Sequence, residues 1–293
     1  MAVMSLLDDY DALLFDLDGT IYRGEEPVPG ADRAVDAAHA NDTKVRFVTN
    51  NASRGPDEVA RHLTEMGIRA TPQEVSTSAQ AAAAVLAEKL PPGTTVLVVG
   101  SDALVHEVEL KNLTTTRTHS DAVQAVVQGL NKDTSWRDLA EACQSIRAGA
   151  LWVACNVDPT LPTERGPLPG NGSLVAALRT ATGTEPLVAG KPATPLMDEA
   201  QRSADAAKPL VIGDRLDTDI AGAVAAGLDS LLVFTGVSTP QDLLDAPEDM
   251  RPTYVGHDVT AVTEEGIRID PAKDWPDAVR DALARLGLEH EVA

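Results

Sequence analysis

The sequence predicts an α/β fold, a Rossmann-like parallel sheet with helices on both faces, interrupted by an inserted α/β domain. Three observations predict it. Short apolar runs such as Leu13-Leu14-Phe15 and Leu210-Val211-Ile212 stop abruptly at polar or acidic residues and alternate with segments of helical period, the pattern of strands buried on both faces. That rhythm restarts with short strands from Thr95 to about Thr184 and resumes near Leu187. A chain of 293 residues is also long for one compact core, which favours two domains or one large domain with an insertion. The expected division is 1–76 and 186–293 for the main domain and 77–185 for the insertion.

Taken in order, Leu13 to Phe15 reads as a buried strand, Ala31 to Ala40 as a helix and Lys44 to Thr49 as the next strand. Pro56 to Met66 follows as a helix, with Ser53 as its cap candidate and Gly67 as its stop. Thr77 to Leu90 is an Ala-rich helix closed by Pro91-Pro92-Gly93. Within the insertion, Val96–Val99, Val123–Val127 and Leu151–Ala154 read as strands, and Trp136–Ala148 as a helix opened by the capping-box pattern of Ser135 and Asp138. Beyond it come the strand Leu210–Ile212, a helix across Ile220–Ala226 stopped by Gly227, and the strand Ser230–Phe234. Tyr254 marks the expected last strand, before an amphipathic helix from Trp275 to Leu286.

Composition excludes several functions. A net charge of −21 with no Lys/Arg cluster argues against a nucleic-acid partner, and an anionic small substrate would need a local cation. The stretch from Met1 to Tyr10 has no leader pattern and no apolar run approaches membrane-spanning length, so no membrane association and a cytoplasmic location are expected. Cys143 and Cys155 are the two cysteines, without paired metal-ligand spacing, and read as buried reduced thiols. The composition leaves a homodimer open.

Four polar clusters fall at strand ends, where open α/β sheets hold ligands. Asp16 and Asp18 follow the first strand, and in extended backbone their side chains would share a face; the lesser reading of the stretch alone is a solvated Asp-rich turn with Gly19 and Thr20. Thr49-Asn50-Asn51 is an uncharged donor set ahead of a helix N-terminus, or simply a turn. Lys191 lies between Gly190 and Pro192, where a lone lysine is often a solvated loop charge. Asp214 ends another buried strand, and Asp219 falls where it could cap the following helix.

In this order the clusters Asp-Leu-Asp-Gly-Thr, Val-Thr-Asn-Asn, Gly-Lys-Pro and Gly-Asp-Arg-Leu-Asp-Thr-Asp resemble the four motifs of the haloacid dehalogenase superfamily of phosphotransferases. An insertion between the second and third motifs is similar to the subclass with a large α/β cap, which includes 4-nitrophenyl, pyridoxal phosphate and glycerol phosphate phosphatases. The resemblance implies phosphate monoester hydrolysis through an aspartyl-phosphate, dependent on Mg²⁺. It implies Asp16 as nucleophile and metal ligand, Asp18 as general acid and base with its backbone carbonyl on the metal, and Asp214 as the other protein ligand. Thr49, Asn50 and Lys191 would hold the phosphoryl oxygens, with Asp219 and Asn51 behind them. Such a set is what the chemistry requires, because an aspartate attacking a phosphate dianion meets repulsion of about 4 kcal/mol per charge pair at about 4 Å and an effective dielectric of about 20.

The insertion carries the substrate question. Residues 155–173 form a long Pro/Gly-rich loop leading into a helix, and loops of that length inside a compact domain are more often functional than not. In the large-cap subclass it looks like the specificity loop, with Asp158 and Arg165 as contacts to a small phosphorylated substrate. Leu161 stands where a ring-holding residue would suit pyridoxal phosphate, and the chain is only 3% aromatic. The stretch resembles actinobacterial-type glycerol 3-phosphate phosphatases more closely. Pyridoxal phosphate, phosphoglycolate, sugar and nucleotide monophosphates stand as alternatives, beside a non-hydrolytic phosphotransfer relative. A response-regulator receiver, the rival signalling class, lacks both the second acid Asp18 and this length.

Overall fold

The computed structural model describes residues 5–163 and 165–292; Met1 to Met4, Glu164 and Ala293, on which parts of the leader and loop readings fall, lie outside the described residues. The chain divides into two compact units, Met1–Val48 with Val59–Val75 and Ala200–Ala293, and Thr49–Glu58 with Ser76–Glu199.

The first unit is built on a seven-stranded sheet in the order Ile267–Arg268, Tyr254–Gly256, Asp229–Val233, Pro209–Gly213, Ala12–Phe15, Lys44–Thr49, Val75–Thr77. Ala12–Phe15 pairs in parallel with Pro209–Gly213 on one side and Lys44–Thr49 on the other. All four of its residues are buried, because helices cover both faces of a parallel sheet and leave no polar side. Phe15 and Phe47 stack with ring centroids 6.3 Å apart in a core that also holds Leu13, Ile212 and Leu231. Connections leave the two neighbours of Ala12–Phe15 in opposite directions, which opens a crevice at its carboxyl end. Asp16 stands there, its N–H donating to the Ile212 carbonyl at 2.8 Å.

The second unit has a five-stranded parallel sheet in the order Leu187–Val188, Leu151–Ala154, Val123–Gln128, Thr95–Val99, Thr114–Thr116. The helix Trp136–Arg147 opens with the expected Ser135 and Asp138 capping box, and with Asn171–Thr182 packs on a core of Val126, Ile146, Trp152 and Leu178.

Several local expectations are corrected. Leu187–Val188, read as the return to the main domain, pairs with Leu151–Ala154 in the second sheet, since two residues carry too little pattern to choose a sheet. Ser53 is no cap; the helix begins at Pro56, and the Ser53 hydroxyl donates to the Leu130 carbonyl at 2.7 Å. Tyr254–Gly256 is not last, because Ile267–Arg268 adds antiparallel to it. The loop 155–173 is partly ordered as a ribbon of Thr160–Leu161 against Leu168–Pro169, and its helix starts at Asn171. The segment before Ala221–Ala226 winds as a π-helical stretch, Leu216–Ile220.

Candidate active site

In the first unit the site is assembled from two strand ends. The strand stops at Phe15, and the chain then turns about one acceptor: the Leu17 carbonyl receives the N–H groups of Thr20, Ile21 and Tyr22 at 3.2, 2.9 and 3.1 Å. Gly19 makes the turn possible with φ +93°, a conformation that a Cβ resists. The ladder of the strand thus stops at Phe15, and Asp18 still bridges Tyr22 before the chain turns at Gly19. Asp16 is half-buried, whereas Asp18 is exposed, with the Tyr22 hydroxyl donating to its Oδ2 at 3.4 Å.

Asp214 and Asp219 come from the end of Pro209–Gly213 and the π-helical stretch after it. Both are buried, at 0% and 1% exposure. Asp214 accepts the Val237 N–H at 2.7 Å and the Thr20 hydroxyl at 3.3 Å, and Asp219 accepts the Arg215 N–H at 3.1 Å. The Arg215 guanidinium lies bidentate against Asp217, at 3.0 and 2.8 Å, and its hydrogen bonds hold the Asp217 carboxyl below the usual range. Oxygen atoms of Asp16, Asp214 and Asp219 lie within 4.8 Å of one another. At that spacing each ionised pair repels by about 3 kcal/mol at an effective dielectric of about 20. Three hard oxygen donors clustered at a cost of that size fit a small divalent cation.

The crowding around this cluster explains two glycines, Gly213 of the fourth motif and Gly236 beyond it. A Cβ on Gly213 would strike Asp219, and one on Gly236 would strike Asp214. Thr235 donates to the Gly19 carbonyl at 2.6 Å. Thr235-Gly236-Val237 was legible only as a polar break after an apolar strand.

The second unit brings together Asn50, Asp158 and Lys191. Asn50 Oδ1 accepts the Lys191 N–H at 2.8 Å, and Asn50 Nδ2 donates to the Lys191 carbonyl at 3.0 Å and to Asp158 Oδ2 at 3.2 Å. A carboxamide thus pairs with both polar groups of the lysine backbone, as a neighbouring strand would. Its Nδ2 group meets two protein acceptors, the Lys191 carbonyl and Asp158 Oδ2. Gly190 is required beside it, since a Cβ there would lie 2.5 Å from Asn50 Oδ1. Lys191 itself is 2% exposed, against the ordinary habit of loop lysines.

Thr49 Oγ1 accepts the Asn51 N–H at 3.1 Å and keeps its own hydrogen to donate. Asn51 is exposed, its Oδ1 accepting the Ser53 N–H at 2.7 Å in a turn. Arg165 lies exposed in the turn between the ribbon strands, its N–H on Thr163 Oγ1 at 3.2 Å. Cys155 is fully buried, and burial pushes its thiol well above the usual range, as expected of an inert thiol.

Comparison with known proteins follows the same residues. The family pattern of haloacid dehalogenase-like hydrolases matches residues 13–114, and a second, HAD-hydrolase-like pattern matches 188–262. The chain is 54% identical over 273 residues to the D-glycerol 3-phosphate phosphatase of Mycobacterium tuberculosis, covering 92% of this chain and 76% of that protein. It is 37% identical to a 5′-nucleotidase of Bacillus subtilis, covering 87% and 97% of the two chains. The crystal structure of glycerol phosphate phosphatase from M. tuberculosis in complex with magnesium superposes with a TM-score of 0.88 at 53% identity, over 92% of this chain and 82% of that one.

Proposed function

The chain belongs to the haloacid dehalogenase-like hydrolase family, and from that premise we propose that it is a Mg²⁺-dependent phosphatase of a small phosphorylated metabolite, glycerol 3-phosphate. The observation that carries the proposal is the carboxylate cluster of Asp16, Asp214 and Asp219 in a chain 54% identical to a D-glycerol 3-phosphate phosphatase.

Asp16 and Asp214 would hold the cation through their side chains and Asp18 through its backbone carbonyl, with Asp219 beside them. A bound Mg²⁺ supplies positive charge between the carboxylates and a phosphate oxygen. Asp16 Oδ forms the bond to phosphorus as the ester oxygen leaves, and Asp18, outside the cluster, gives that oxygen its proton. Asp18 then takes a proton from the water that cleaves the aspartyl-phosphate, which returns Asp16 and releases phosphate. The Lys191 ammonium and Thr49 hydroxyl bind phosphoryl oxygens, and Asn50 holds the Lys191 backbone in place.

Residues 77–185 act in this reading as the cap, with Asp158 and Arg165 meeting the polyol. Hydroxyl-pairing groups favour such a substrate, because an apolar one leaves them unpaired. The net charge of −21 supports a partner list without nucleic acid. Among the described residues no helix is long and apolar enough to cross a membrane, and we infer a cytoplasmic location, with a homodimer left to the sedimentation of the purified chain.

The test is steady-state hydrolysis of glycerol 3-phosphate, pyridoxal phosphate and a 5′-nucleotide with magnesium. Glycerol 3-phosphate is expected to have the highest kcat/KM, and Arg165→Ala to lower it while affecting 4-nitrophenyl phosphate less. A clear preference for pyridoxal phosphate or the nucleotide would overturn the substrate assignment.

A further inference from the structure

Asn156 carries no role in the reaction as drawn, yet its carboxamide joins two of the segments that do. It is 6% exposed and follows the strand Leu151–Ala154. Its Nδ2 donates to the Asn50 carbonyl at 2.7 Å, and its Oδ1 accepts the Asp158 N–H at 3.2 Å. Its own carbonyl receives Asn171 Nδ2 at 2.7 Å, from a residue 1% exposed at the start of the helix Asn171–Thr182. The far side of the Asp158 peptide is held as well, its carbonyl accepting the Gly172 N–H at 2.8 Å. Gly172 is needed for that approach, because a Cβ would lie 2.8 Å from the Asp158 carbonyl carbon.

We propose that Asn156 is a specificity-positioning residue, which sets Asp158 against the Asn50–Lys191 clamp without touching substrate. The inference rests on the phosphatase reading above. Its two bonds have unequal backing. The Asn50 carbonyl also receives the Ser78 hydroxyl at 2.6 Å, so the clamp on Lys191 keeps a support when Asn156 is truncated. The Asp158 amide is held by Asn156 Oδ1 in a turn of two residues, and truncation frees it. The consequence falls on the leaving group, which Asp158 meets, more than on the phosphoryl group, which Lys191 meets.

The test compares the parent, Asn156→Ala and Asn156→Ser on glycerol 3-phosphate and 4-nitrophenyl phosphate, with a thermal unfolding curve for each protein. In Asn156→Ala the kcat/KM for glycerol 3-phosphate is expected to fall about tenfold or more, chiefly through KM, as a lost ground-state contact would. That for 4-nitrophenyl phosphate should fall less than about threefold on the same reasoning. Asn156→Ser replaces the carboxamide acceptor with a hydroxyl that can take the same N–H two residues on, and should recover much of the discrimination. It also serves if the alanine variant does not fold.

A ratio of the two substrates unchanged in both variants would overturn the inference. So would an equal loss on both substrates that tracks the fall in Tm, the signature of a merely structural residue. A parent inactive on both substrates would instead overturn the phosphatase reading from which the inference starts.

Discussion

Gly19 and Asp214 approach so closely that a Cβ on Gly19 would lie 2.6 Å from Asp214 Oδ2. The two residues come from the ends of adjacent parallel strands, and Gly19 also has a φ of +93°. Gly19→Ala therefore meets a steric and a conformational penalty together. A stability loss of about 1–3 kcal/mol is expected from strain of this kind. Because relief can come only by moving Asp214 or the Asp18 turn, kcat should fall by far more than Tm suggests. Thermal unfolding beside kinetics on 4-nitrophenyl phosphate checks this; a fully active Gly19→Ala would refute it.

Asp16→Asn should abolish turnover and, in chelator, raise stability. The amide cannot attack phosphorus, and it removes one charge from three carboxylates within 4.8 Å. Relief of about 1–3 kcal/mol follows from the pairwise repulsion at that distance, reduced by the partial exposure of Asp16. Turnover at a tenth of the parent rate would exclude Asp16 as nucleophile, and a lower Tm without metal would contradict the repulsion argument.

Chelation should stop activity and lower Tm, and Mg²⁺ should restore both. At about 100 times its Kd a ligand of the folded state adds about 2.7 kcal/mol. Ca²⁺ should restore Tm without restoring turnover, since it accepts the oxygen ligands but favours higher coordination and looser geometry than in-line transfer tolerates. Full activity in excess chelator would end this account.

Asp138 gives a pH prediction away from the site. The Ser135 N–H and hydroxyl donate to its carboxylate at 2.7 and 2.8 Å, and the backbone bond above all holds it below its ordinary value of 3.8. A depressed folded value means that the stabilisation is present above the unfolded value and is lost as pH falls through the folded one. Asp138→Ala should cost about 0.3–1.5 kcal/mol at neutral pH. The gap from the parent should begin to narrow below about pH 4 and close only as pH falls through the lower folded value, where the parent's carboxylate is protonated. Denaturant unfolding across that range measures it, and a gap that persists would refute the assignment.

Much of this protein is local in origin, and that part was legible in the sequence. The run ending in Asp16-Leu17-Asp18-Gly19, the cap of Trp136–Arg147, the stops at Gly67 and Gly227 and the alternation of strand with helix arise from contacts within a few residues. What the sequence could not determine lies between residues far apart. The Thr20 hydroxyl bond to Asp214 spans 194 residues, and the grip of Asn50 on Lys191 spans 141; no periodicity records either. The turn that follows Asp18 closes on the Leu17 carbonyl, which gathers the amides of Thr20, Ile21 and Tyr22. The hold of the Asn50 carboxamide on the Lys191 backbone likewise left no mark on the triplet Thr49-Asn50-Asn51. Only tertiary structure decided that Asp219 stands within 4.8 Å of Asp16 and Asp214, because the closeness of three like charges follows from packed glycines and paired strands.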